Sequence, residues 1–287
     1  MSVTTRKAPR RPATRYGLAY DLRTIRTVFR REAIRFANDQ KRAMSVLLQS
    51  VLWLFVMGAG LSALTPTVTD TVDMRTFLFP GVIAMSVIQT SMSSAASVVW
   101  DREFGFLREM LVAPVRRGSI VIGKVLGGAV LATAEGVVLL AMAGLVGVPY
   151  HPLLLLALLG GMFLAAFLVT AFGVMVAARI GGMESFLGVM QLAIMPLMFM
   201  SGALFPVARL PGWLAALTTV NPLTYAVDPL RRAVFAFVDA PPDLAALYNP
   251  GISWAGWAVP VWVELLLVGG AATVFLWLAV VQFNRVD

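Results

Sequence analysis

Cysteine is absent from the 287 residues. This excludes disulfides and thiolate metal sites and leaves the redox compartment open. Histidine occurs once. His151, beside Tyr150 and Pro152, reads as an interfacial loop side chain rather than a metal ligand or proton carrier. Charge is scarce, at 13% of residues, which does not suit a soluble domain of ordinary composition. No short apolar segment with a small-residue cleavage site stands near the N-terminus, so no secretory signal is expected to be removed and the first span should stay as an anchor. Neither a metal-ligand cluster nor a carboxylate pair is legible. The expectation is therefore no catalytic residue, no metal and no cofactor on this chain.

What remains is apolar. Hydrophobic residues make up 59% of the chain, and its mean hydropathy is +0.82. A helix needs about 20 mostly apolar residues to cross a bilayer. Six stretches qualify, roughly 43–64, 79–99, 119–147, 152–178, 186–205 and 255–281. Their length and lack of alternation predict helices rather than a barrel, and hence an all-α polytopic membrane protein.

Charge sets the orientation. Before the first span lie twelve Lys or Arg against Asp21, Glu32 and Asp39, and short basic segments are retained on the cytoplasmic side. Six spans then return Arg285 and Asp287 to that side, with both termini cytoplasmic in the cell (inner or plasma) membrane. Asp70 and Asp73 suit an outer loop; Arg102, Arg108, Arg116 and Arg117 suit an inner one, and Arg179 marks a second inner loop. A net charge of +8 with pI near 10.6 could point to nucleic acid. The basic excess is concentrated before the first span, however, so anionic lipid heads are the nearer partner. Residues 1–17 read as a disordered basic tail. Residues 18–42 read as an amphipathic interfacial helix, with Leu22, Ile25, Phe29, Ala33 and Phe36 on one stripe and arginines beside it.

Gly118-Ser-Ile-Val-Ile-Gly123-Lys124-Val125 fits seven positions of a phosphate-binding loop. Val125 stands where Ser or Thr must hold Mg²⁺, and no buried strand precedes it. The segment reads instead as the start of a membrane helix, with Lys124 at the inner interface and Gly123 and Gly127 forming a face for close helix packing.

More informative is the charged interruption Asp101-Arg102-Glu103-Phe104-Gly105-Phe106-Leu107-Arg108-Glu109-Met110-Leu111, closed by Pro114. As a helix it gathers Phe104, Leu107 and Leu111, with Phe106 and Met110 beside them, and that surface is too apolar to be left in water. It either lies on the membrane or enters a groove on a cytosolic partner.

Polar groups inside the spans are candidates for a pathway or a subunit interface. Gln89, Ser93 and Ser97 recur at helical spacing in the second span, although small hydroxyl residues equally serve helix packing. Gln191, Met195 and Met198 populate the fifth, where Pro196 should kink the helix and thioethers suit varied hydrophobic cargo. Glu135 lies mid-span, where an ionised carboxylate is costly; it is expected to face the pathway or a dimer interface. Glu264 reads as a second isolated carboxylate.

The run Val99-Trp-Asp-Arg-Glu-Phe-Gly-Phe-Leu-Arg-Glu-Met-Leu-Val-Ala-Pro114, continuing through Lys124, resembles the first cytoplasmic loop of type-2 ABC exporter permeases of the daunorubicin-resistance and nodulation-factor branch. Ser201-Gly-Ala-Leu-Phe-Pro206, Leu210-Pro-Gly-Trp213 and the stretch from Asn221 to Arg231 resemble that family between spans five and six. The resemblance covers about residues 18–285. It implies a permease domain over 43–287, working as a homodimer with two copies of a cytosolic ABC ATPase that carries the ATP and Mg²⁺. By position, residues 101–114 become its coupling helix, with Arg102, Glu103, Arg108 and Glu109 fixing register on the ATPase. Residues 207–235, including Asn221, Pro222, Tyr225, Asp228 and Arg231, match its re-entrant outer helices, and Pro206, Pro211, Pro222 and Pro229 cut that stretch into pieces too short to span. The function so implied is drug-resistance-type efflux of a hydrophobic or amphipathic molecule by alternating access. Export of a lipid-linked saccharide and an intramembrane enzyme remain as alternatives; a channel is disfavoured for want of a charged ring or filter-like loop.

Overall fold

The computed structural model describes residues 17–64, 74–106, 115–205, 211–239, 241–242, 244, 248–254 and 256–285. Helix α1 (Leu18–Asn38) ends at Asp39, whose backbone leaves the helical region, and α2 (Gln40–Leu52) starts at the next residue. The interfacial helix expected over 18–42 is thus shorter, because Asp39 breaks it and pairs with Arg42 at 3.0 Å. A π turn (Trp53–Met57) joins α2 to α3 (Gly58–Leu64), and the three make one apolar rod over Gln40–Ala63.

Among the described residues five helices are long and apolar enough to cross a membrane: that rod, α4 (Met74–Glu103), α5 (Arg117–Leu140), α6 (Pro152–Ala177) and α10 (Val261–Arg285). The fifth expected stretch forms α7 (Met183–Phe199), an apolar helix of 17 residues. Between it and α10 come α8 (Gly212–Val220) and α9 (Pro222–Phe235). Pro211 caps α8 and Pro222 opens α9, positions where a missing N–H costs nothing.

Three boundaries differ from the sequence reading, each for a local reason. The second span runs on through Asp101, Arg102 and Glu103, which form the last turn of α4 rather than a separate element. The third stops at Leu140 and gives way to a 3₁₀ turn (Ala143–Val146), closed by Gly147 at φ 77°. Two short strands, β1 (Ser253–Trp254) and β2 (Trp257–Ala258), pair antiparallel as a hairpin ahead of the last helix. The architecture is otherwise all-α among the described residues.

Helix α4 is the axis. In its apolar window 78% of residues are buried, against 22% for the first rod and for α10, which therefore form the periphery. It packs on α5, α6, α7 and α9. Phe77, Phe79, Leu154 and Leu158 centre one half of the core, and Val98, Val125, Val169 and Phe186 the other. Exposed Met44, Leu48, Leu52, Leu266 and Trp277 lie on the peripheral helices. Burying such residues in acyl chains rather than protein is what a multi-pass membrane location supplies.

Alternation of direction gives the bundle two ends. At the end carrying α1 meet the last turn of α4, the start of α5, the connection from α6 to α7, and the last turn of α10, where Arg117 donates to Phe283 O. At the distal end lie α8, α9 and the hairpin.

Candidate functional site

The α1 end is built around Lys124. Its neighbour Gly123 lacks the Cβ that would stand 2.9 Å from Val28, and a Cβ on Gly127 would meet Glu32 at 3.4 Å. The small face read from sequence thus brings α5 against α1, and Ile25, Val28 and Glu32 turn inward. Leu18, Leu22 and Ile34 stay exposed, so α1 packs on protein along one side and offers apolar groups along another. The segment 118–125 lies wholly in α5, with backbone N–H groups committed to the helix.

Close approach places Lys124 Nζ 2.8 Å from Glu32 Oε1, 2.6 Å from Asp101 Oδ2 and 3.0 Å from Ser97 Oγ, with the side chain only 2% exposed. Arg31 donates to Asp101 Oδ1 at 2.5 Å. A lysine near the end of a span ordinarily snorkels outward; this one is held inward by two buried carboxylates. Breaking one partner of such a network leaves an uncompensated buried charge, a cost of about 3–5 kcal/mol.

The head of the segment at 101–114 is fixed to its own chain. Arg102 donates to Ala178 O and Ile180 O, both at 3.0 Å, and Glu103 Oε1 accepts from Met183 N at 2.8 Å. These two side chains staple α4 to the connection between α6 and α7. Gly105 then turns the chain at φ 78°. Phe104 and Phe106 are 61% and 51% exposed, Trp100 stacks on Phe104, and Arg31 and Arg35 lie over Phe106 and Trp100. Leu107, Arg108, Glu109, Met110, Leu111 and Pro114 lie outside the described residues.

At mid-depth the pathway candidates converge. Gln89, Gln191, Met195 and Met198 line one cleft of about 190 Å³ between α2, α4 and α7. Gln49, a single amide within the first apolar stretch that the sequence does not single out, joins them and accepts from Gln89 Nε2 at 3.2 Å. Ser93 bonds its own helix at Gln89 O and lines the next compartment toward α1 together with Ser97, which also belongs to the Lys124 network. Glu135 is 3% exposed and accepts from Thr90 at 2.7 Å. It sits between α4 and α5 and lines neither compartment.

At the distal end Asn221 caps α9 through Leu223 N and donates to Leu197 O, fixing the α8–α9 corner on α7. Tyr225 donates to Thr219 O and accepts from Trp254. Arg231, 1% exposed, reaches Gly202 O and covers the Phe77 ring at 4.5 Å. Gly81 makes room there, since a Cβ would lie 2.0 Å from Ala203 O. Glu264, read as isolated, pairs with Arg232 at 2.9 Å, and Arg232 also holds Asp228 at 2.6 Å. Two carboxylates on one guanidinium clamp α9 to α10. Among the described residues no three His, Asp or Glu are grouped as metal ligands.

The transport permease ycf38 of Cyanophora paradoxa is 30% identical over 191 residues, 66% of each chain, so the match spans just under two thirds of that relative. Nodulation protein J of Rhizobium leguminosarum bv. viciae is 29% identical over 187 residues, 64% of this chain and 71% of its own. YbhR of Escherichia coli K12, named as a multidrug ABC transporter permease, is 29% identical over 173 residues, 56% of this chain and 44% of its own. The ABC-2 type transporter family matches residues 23–235, from α1 to the end of α9, and the chain is a multi-pass membrane protein of that family.

Proposed function

We propose that this chain is the permease subunit of an ABC exporter, with six crossings that include α7, both termini cytoplasmic, and the α1 end facing the cytoplasm. It works with a second copy of itself and two copies of a cytosolic ATPase that hold ATP and Mg²⁺. The observation that carries this reading is the linkage at the α1 end. Through Lys124, Arg31, Arg102 and Glu103, the root of the 101–114 segment is bonded to α1, α5 and the α6–α7 connection together. A pull on exposed Phe104 and Phe106 is thereby delivered to four elements, which is what rigid-body switching between access states requires.

The cargo is a hydrophobic or amphipathic molecule such as a drug, antibiotic or lipid. Four methionines, Met85, Met92, Met195 and Met198, line the cleft, against Trp53 and Phe199 as its aromatics. Adaptable thioethers favour such cargo over a saccharide stacked on rings, though a lipid-linked saccharide remains the second cargo to test. An intramembrane enzyme is less supported, because Glu135 and Glu264 both lie outside the cleft. Changing Phe104 and Leu107 to Asp, with insertion intact, should release the ATPase during purification. A complex that stays whole would remove the coupling assignment.

A further inference from the structure

The cleft of Gln49, Gln89 and Gln191 continues toward α1. There α4 and α7, with the end of α1 and the start of α2, enclose a second cavity of about 400 Å³. On α4 Ser93 follows Gln89 by one turn, and on α7 Leu187 precedes Gln191 by one turn, so the two cavities lie one turn apart along the same pair of helices, as compartments of a single groove would.

Their chemistry differs. No charged side chain lines the upper compartment, where Ser86, a buried hydroxyl, has no partner among the described residues. Four charged groups face the lower one: Glu32, Arg35, Asp39 and Arg42. Glu32 is taken by Lys124, and Asp39 by Arg42 Nε at 3.0 Å. Arg42 Nη1 is shut off from solvent with no partner among the described residues. Arg35 comes no nearer than 4.0 Å to Asp101, whose carboxylate Lys124 and Arg31 already hold. Both carboxylates lining the compartment are thus engaged, while of its two guanidiniums Arg42 keeps Nη1 unpartnered among the described residues and Arg35 makes only the 4.0 Å approach to Asp101 and the stacking on Trp100. A planar guanidinium with free N–H groups suits a tetrahedral or planar oxyanion.

We propose that the lower compartment is a binding site for the acidic headgroup of a membrane amphipath, Arg35 and Arg42 holding its phosphate, sulfate or carboxylate while its apolar part lies among Met85, Met92 and Met195. This deepens the export reading of the groove and rests on it. The occupant is lipid-like rather than a free anion because the compartment of Arg35 and Arg42 lies one helical turn from an uncharged, thioether-lined one, where only an attached apolar body gains by burial.

The test uses the full-length permease purified without ATPase and presented with dioleoyl phosphatidylglycerol or dioleoyl phosphatidylcholine, adducts being counted by native mass spectrometry. The wild type should retain the acidic lipid about tenfold over the zwitterionic one. R35Q with R42Q should abolish that preference, and R35K with R42K should restore part of it. R23Q with R26Q, on the exposed side of α1, should leave it unchanged. Size-exclusion and circular dichroism profiles like the wild type's establish that the variants fold.

Equal retention of both lipids overturns the proposal. So does equal loss in R23Q with R26Q, which would mean general surface attraction. Displacement by millimolar inorganic phosphate alone would make it a free-anion site, and protection of the groove only on dimerisation would make it a subunit contact; either overturns it. Because no ATPase is present, an intact lipid preference in a permease that later fails to export would leave this site standing and sink the export reading instead.

Discussion

At the scale of single residues, Lys124 concentrates the energetics of the α1 end. Lys124→Met keeps the length of the side chain and strands Glu32 and Asp101 in a buried setting. The expected loss is about 3–5 kcal/mol, read as a lowered unfolding midpoint of the detergent-solubilised protein; an unchanged midpoint would dismiss the network as a stabilising element. The sequence showed Lys124 and the small face beside it but not which helix that face would meet. Spacing reports which residues share a side of one helix and is silent about the neighbour opposite. For the same reason Gln89, Gln191, Met195 and Met198 were legible as polar or adaptable groups within apolar spans, while Gln49 escaped notice. The sequence does not separate Arg232 from Arg231, because adjacent arginines in a proline-cut stretch look alike, and only the approach of α10 shows which one meets Glu264.

At the scale of elements, the staple from α4 to the α6–α7 connection is the feature that can be loosened without unfolding the bundle. Arg102→Gln removes two charge-assisted bonds to Ala178 O and Ile180 O, each worth about 1.5–3 kcal/mol. Amide exchange at the start of α7 should accelerate at least about tenfold, with exchange in the core of α4 unchanged; protection that stays the same at Met183 to Phe186 would show that Glu103 alone holds the connection. The helices themselves were largely readable, since five of the six apolar stretches became long apolar helices and the sixth a shorter one. Their ends were less so. By sequence the second span ends at the first charges, because Asp101, Arg102 and Glu103 look like loop residues until their partners on other helices are seen. The last was begun too early because the tryptophan-rich stretch around residues 254–257 is as apolar as a span, yet Gly256, at φ 88°, turns it back on itself as a hairpin.

At the scale of the whole molecule, the two ends differ in kind. One is a basic platform of arginines and a charged hub; the other is a corner of short helices and exposed aromatics. Because the chain has no cysteine, single replacements can report which end faces which side. Thr27→Cys, on the exposed side of α1, should react with a membrane-impermeant maleimide only in inverted vesicles, and Trp257→Cys, in the hairpin, only in intact cells. Labelling of both from one side would reverse or dismantle the assigned topology. The first rod runs between these ends and is divided by the π turn. A five-residue π turn holds one residue more than an uninterrupted α-helix would, and each residue advances an α-helix by about 100°. Gln49 and Ser50 below the turn look into the cleft, while above it Gly58 lies against the Arg75 side chain. The turn therefore acts as a fixed angular offset, letting one continuous helix present the groove with one half and brace the top of α4 with the other.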